Sequence, residues 1–205
     1  MRQSLRPFSP TSSKSGPPEP TSLLQIDCLV QRQGSRLSLS FCLSGDLTQV
    51  LLPSQSGRRN AAAASALRKD EKRKDELWKS TCFEAFIAPD TLSEKEGPYW
   101  ELNVSPRGEW NVYRFDRYRQ GQRPENRISQ ILYQHETSAL SYQNQIQIDL
   151  QEVAELHGVP HWSVGITAVV TSPVDGGCSY WALTHCGSRP DFHRAESFSL
   201  KLASE

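Results

Sequence analysis

Two carboxylates stand out where apolar residues are expected. In "LWKSTCFEAFIAPD", Phe83, Ala85 and Ile87 alternate as one face of a strand, and Glu84 lies on the other. In "YWELNVSP", Trp100, Leu102 and Val104 form the apolar face, while Glu101, Asn103 and Ser105 share the second. Trp78 precedes Glu84 by an even number of residues, so an early strand start would put both on one face. Two acids on neighbouring strands can serve as the acid and base of glycoside hydrolysis. They can also bind without chemistry. A sugar ring stacks on an aromatic plate, and its hydroxyls need fixed acceptors and donors such as a carboxylate and an amide. A third reading is the bland one, in which the acids are the wet face of a half-buried sheet.

The elements around these residues read as strands. Leu24, Ile26, Cys28 and Val30 alternate, as do Leu37, Leu39, Phe41 and Leu43 after the turn at Gln33–Ser35. Further strands are expected at Thr48–Pro53, Thr81–Ala88, Tyr99–Val104, Trp110–Phe115, Ile128–Gln134, Ile146–Leu150 and Trp162–Val170, with two more near the C-terminus. One short helix is expected after Asp149, with Asp149 as cap, Leu150, Val153, Ala154 and His157 as its face, and Gly158 and Pro160 as its stop. Many short strands without alternating helices point to an all-β fold, an antiparallel sandwich or barrel.

Residues 1–22, rich in Pro and Ser, read as a disordered tail, and residues 23–203 as the domain. Residues 54–76, Ala-rich and then densely charged, read as a solvated insertion that could dock a protein partner. The chain has 205 residues with 23 basic and 23 acidic side chains, which argues against a nucleic-acid partner. The mixed charges between Arg107 and Arg127 read as local salt bridging. No run approaches the ~20 apolar residues of a membrane helix. The N-terminus has no secretory core, so a cytoplasmic location is the expectation.

Five widely spaced cysteines read as reduced and structural. His157 and His161 are separated by helix breakers, and His185, Cys186 and His193 lack a metal-ligand spacing. No cofactor is expected. No phosphate-binding Gly-rich loop and no G-x-S-x-G elbow is present.

"LWKSTCFEAFIAP", "GPYWELNVSPRGEWNVYRFDRYRQG" and the closing "RPDFHRAESFSLKL" together resemble the DOMON-like domains of bacteria, which are similar to family 9 carbohydrate-binding modules. The resemblance runs from about Leu23 to Leu202, around the charged insertion. It implies a β-sandwich of jelly-roll type, with sugar or haem as ligand. By that resemblance Trp78 stacks on the sugar and Glu84 hydrogen-bonds it, with polar contacts near Asn103 and Ser105. The second aromatic of the clamp falls on Phe192 or His193, in "PDFH", where the family pattern is not matched. Met/His haem ligation has no methionine besides Met1, which leaves only His185 with His193. The expectation is therefore a non-catalytic module that binds a saccharide or related small polar ligand through Trp78, Glu84, Glu101, Asn103, Ser105, Phe192 and His193. The alternative from another class is a protein-interaction module.

Overall fold

The computed structural model describes residues 1–9, 24–53, 72–90 and 97–204. Within them the strands are β1 (Arg2–Pro7), β2 (Leu24–Gln33), β3 (Arg36–Gly45), β4 (Cys82–Pro89), β5 (Tyr99–Val104), β6 (Trp110–Phe115), β7 (Arg123–Pro124), β8 (Leu132–Thr137), β9 (Ser141–Asp149), β10 (His161–Thr171), β11 (Cys178–Ala182) and β12 (Leu200–Ala203). Every ladder between these strands is antiparallel. One sheet runs β1-β2-β3-β9-β8 and the other β7-β6-β5-β4-β10-β11, with β12 also paired to β10. The described residues contain no helix long and apolar enough to cross a membrane.

Alternation makes the two sheets a sandwich. Ile26, Cys28 and Val30 of β2, with Leu37, Leu39, Phe41 and Leu43 of β3, meet Phe83, Ala85 and Ile87 of β4 in one core. Trp100, Leu102, Trp162, Val164 and Ile166 fill the same space. Phe83 is the contact between layers, 5.0 Å from the Phe41 ring and stacked at 5.7 Å on Tyr142. Burial of these side chains is the dominant favourable term, on the order of 1.5–3 kcal/mol each.

Arg32 closes one end of the sandwich. It follows Val30 on the inward face of β2 and is 6% exposed. Its guanidinium lies 3.7 Å above the Trp162 ring and donates to the carbonyls of Val159 (2.7 Å), Leu202 (3.0 Å) and Pro160 (3.2 Å). A cation is tolerated there because stacking and carbonyl dipoles replace its water.

Several expectations change. Residues 2–7 do not belong to a disordered tail: they form β1, with residues 2–5 on β2 and residues 6–7 on β11. Main-chain pairing holds that strand, since Leu5 is its one buried side chain, and composition does not register such pairing. Residues 10–22 lie outside the described residues. The same holds for residues 54–71 of the insertion, but Lys72–Glu76 are part of the domain. Arg73 bridges alongside Trp110, and its guanidinium sits 4.3 Å from the Trp110 ring. The helix expected after Asp149 is a series of turns instead. Leu150, Val153 and Leu156 are buried at a spacing of three, whereas Ala154 and His157 face outward. Thr48–Pro53 does not form a strand, Leu47–Gln49 being one turn of 3-10 helix, and β8 begins at Leu132 rather than Ile128.

Replacing Arg32 by Met removes its hydrogen bonds to four carbonyls, those of Gly34, Val159, Pro160 and Leu202, and is expected to lower stability by about 3 kcal/mol. Urea unfolding measures this, and Arg32→Lys is expected to lose less.

Candidate functional site

The outward face of the second sheet is not wet. β5 is buried along its whole length, and β4 is buried from Cys82 to Ile87. A second apolar cluster covers this face, built from Leu77, Phe86, Tyr99, Tyr113, Phe115, Phe192 and Phe198, with Trp78 packed against it. Between these rings the strand register lines up a polar row, Thr167–Glu84–Asn103–Asn111, across β10, β4, β5 and β6. The adjoining row is Gly165–Phe86–Glu101–Tyr113. Glu84 and Glu101 are thus diagonal neighbours on one face, 2% and 4% exposed.

Each carboxyl has one hydrogen bond to an adjacent side chain. The Thr167 hydroxyl donates to Glu84 Oε2 at 2.8 Å, and Asn103 Nδ2 donates to Glu101 Oε1 at 2.9 Å. Cys82 Sγ donates to Asn103 Oδ1 at 3.5 Å. Burial penalises the charged form of both acids. It raises Glu84 to about 8, helped by the Glu101 charge. It raises Glu101 to about 7, against the Asn103 hydrogen bond and the field of Arg119.

At the β6 side, Tyr113 OH donates to Asp75 Oδ1 at 2.6 Å, and Asn111 Nδ2 donates to the same oxygen at 2.8 Å. Trp78 meets Tyr113 edge to face, with ring centres 5.6 Å apart. The pleat does not bring it there, because β4 starts only at Cys82. A single 3-10 turn, Leu77–Lys79, folds it over the face. Of the five tryptophans it alone is not buried.

Over β4, β5 and β6, His193 lies edge-on to Phe86 and Phe115, and its Nδ1 shares a 2.8 Å hydrogen bond with Tyr99 OH. Burial holds this imidazole down near 4, with Arg119 adding to the effect. Phe192 is buried among Phe86, Tyr180 and His185. Both clamp candidates therefore reach the same face as Glu84, but as parts of a packed aromatic layer. Arg119 ties that layer to the β6–β7 loop by its ion pair with Asp191 at 2.9 Å.

Ser105 stands apart from the others. Its hydroxyl donates to Glu109 and accepts the amides of Arg107 and Glu109, so it serves the β5–β6 hairpin. Thr167, Asn111, Tyr113, Asp75 and Arg119 were missed by sequence reasoning. Asn111 and Tyr113 were legible as the second face of "WNVYRF"; Asp75 was hidden in the charged stretch.

A separate groove of about 420 Å³ is lined by Arg114, Arg123, Pro124, Glu125, Asn126, Arg127 and Glu155. Its charges are paired, Arg114 and Arg127 with Glu155 and Arg127 with Glu125 within the lining, and Arg123 with Asp116 beyond it. Among the described residues no three His, Cys, Asp or Glu side chains converge as metal ligands. All five cysteines are free thiols.

No protein-family model matches the chain, and no curated protein matches it. Among solved structures, a family 9 carbohydrate-binding module from Caldicellulosiruptor kristjanssonii in complex with glucose is similar at 7% identity, with a TM-score of 0.47. The likeness covers 98% of this chain and 84% of that one.

The raised carboxyls have a consequence for stability. A folded-state value above the unfolded one means that folding binds protons, so stability falls as pH rises through the interval between them. The window from pH 6.5 to 8 lies above the range in which His193 opposes this trend. There the protein is expected to lose on the order of 1–2 kcal/mol, and Glu84→Gln is expected to flatten the slope. Urea midpoints at the two pH values decide it.

Proposed function

We propose that this chain is a non-catalytic binding module, of DOMON-like type, for a carbohydrate or related small polar ligand. The ligand sits on the outward face of β4 and β5, where it displaces part of the ring layer that covers Glu84 and Glu101. The observation that carries this reading is the placement of two buried carboxyls and an amide, Glu84, Glu101 and Asn103, beside the half-buried Trp78 plate. A sheet face meant only to pack would be apolar, since two neighbouring buried acids cost stability. Such a cost is common at sites whose groups are kept for a ligand. Trp78 and Tyr113 offer ring faces and edges for stacking, and the row beneath them offers acceptors and a donor. The module acts in the cytoplasm, with no nucleic acid as partner.

Tryptophan fluorescence titrated with mono- and oligosaccharides and nucleotide sugars is the direct test, because Trp100, Trp110, Trp162 and Trp181 are buried in the core. A saturable change is expected, lost in Trp78→Ala. A flat response from folded protein overturns the reading and turns attention to a protein partner. Turnover of a chromogenic glycoside, abolished in Glu84→Gln, overturns its non-catalytic part.

A further inference from the structure

The charge balance of this face narrows its ligand. Among the described residues, neither Glu84 nor Glu101 takes part in an ion pair, although the other buried acids, Asp27 and Glu125, are each paired with an arginine. Glu125 shows the contrast. It too is buried, but Arg127 and the Trp100 indole outweigh the burial and hold it near 2. Glu101 accepts from Asn103 through Oε1, and its other oxygen receives no hydrogen bond among the described residues.

The groups facing the pair supply no counter-charge in contact. β4 contributes Cys82 and Phe86, β5 contributes Tyr99 and Asn103, β6 contributes Tyr113, and β10 contributes Thr167. Asp75 faces in through Tyr113 and is itself acidic. The aromatic layer brings His193, which burial holds neutral, and Asp191. Arg119 acts on Glu101 through space, but its guanidinium is paired with Asp191.

We infer that the ligand of this face carries a positive charge, as an amino sugar or similar hydroxylated amine whose ammonium group lies against Glu84 and Glu101 beside Trp78 and Tyr113. This rests on the binding-face reading above and sharpens it. An ammonium brings up to three donors to a pair of carboxyls whose present hydrogen bonds come from neutral groups, Thr167 and Asn103. The neighbouring rings add cation–π attraction, the arrangement that aromatic-lined sites use for ammonium ligands. A neutral sugar leaves the pair to be neutralised by protons. A cation replaces the protons that otherwise neutralise the pair, so its binding releases protons near neutral pH.

Calorimetry at pH 7 with glucosamine, N-acetylglucosamine, glucose and ethanolamine tests this, run in two buffers of different ionisation enthalpy. Glucosamine is expected to bind at least about tenfold more tightly than N-acetylglucosamine or glucose, with proton release. Glu101→Gln and Glu84→Gln are each expected to erase that preference. Equal binding of the three sugars overturns the charge inference and leaves the saccharide reading standing, as does a preference that survives both substitutions. Binding of ethanolamine with no sugar bound supports the charge inference and overturns the saccharide reading. Silence across the panel from folded protein overturns both.

Discussion

Burial of the second sheet on both faces is the constraint from which the rest follows. Its inner face packs on the first sheet, as any sandwich requires. Its outer face is covered by a second set of rings, so β5 has no solvated side at all. Polar residues on that face must then find partners among themselves, and the fold supplies some: Thr167, opposite Glu84, donates to it, and Asn103 donates to Glu101. A one-residue slip of β4 or of β5 would turn its acid into the main core and its apolar residues, Phe83 or Trp100, out of it.

The cover itself is held by interactions distant in sequence. Trp78 and Asp75 lean on Tyr113 from one side, and His193 and Phe192 lean on Phe86 and Tyr99 from the other. Arg119 has a positive φ of 51° and joins the second group to the β6–β7 loop through Asp191. The acid row therefore lies between two aromatic flanks with different anchors.

Cations placed on rings recur as fasteners at the margins of the fold. Arg32 over Trp162 links β2 to the chain entering β10 and to β12, and Arg73 over Trp110 fastens the strand edge at β6. Both guanidiniums also bind main-chain carbonyls, which is why lysine would not replace them. β1 does the equivalent with its backbone, crossing from one sheet to the other.

Local periodicity determined much by itself. Alternation in residues 24–30, 37–43, 83–87 and 100–104 reports a covalent property of strands, opposite side-chain directions at successive residues, and it marked both the all-β class and the odd placement of Glu84 and Glu101. The same pattern marked Asn103 as their neighbour. What it could not report is anything decided by pairing or by packing from afar. β1 exists because β2 and β11 offer it hydrogen bonds. The turns after Asp149 replace a helix because burial selects Leu150, Val153 and Leu156 at a spacing of three. Trp78 reaches the acid row through a 3-10 turn rather than along a strand. Whether Glu84 and Glu101 faced water or other side chains was decided by residues 75–78 and 192–198 folding over them. Burial is a property of the assembled surface, and no local stretch of chain encodes it alone.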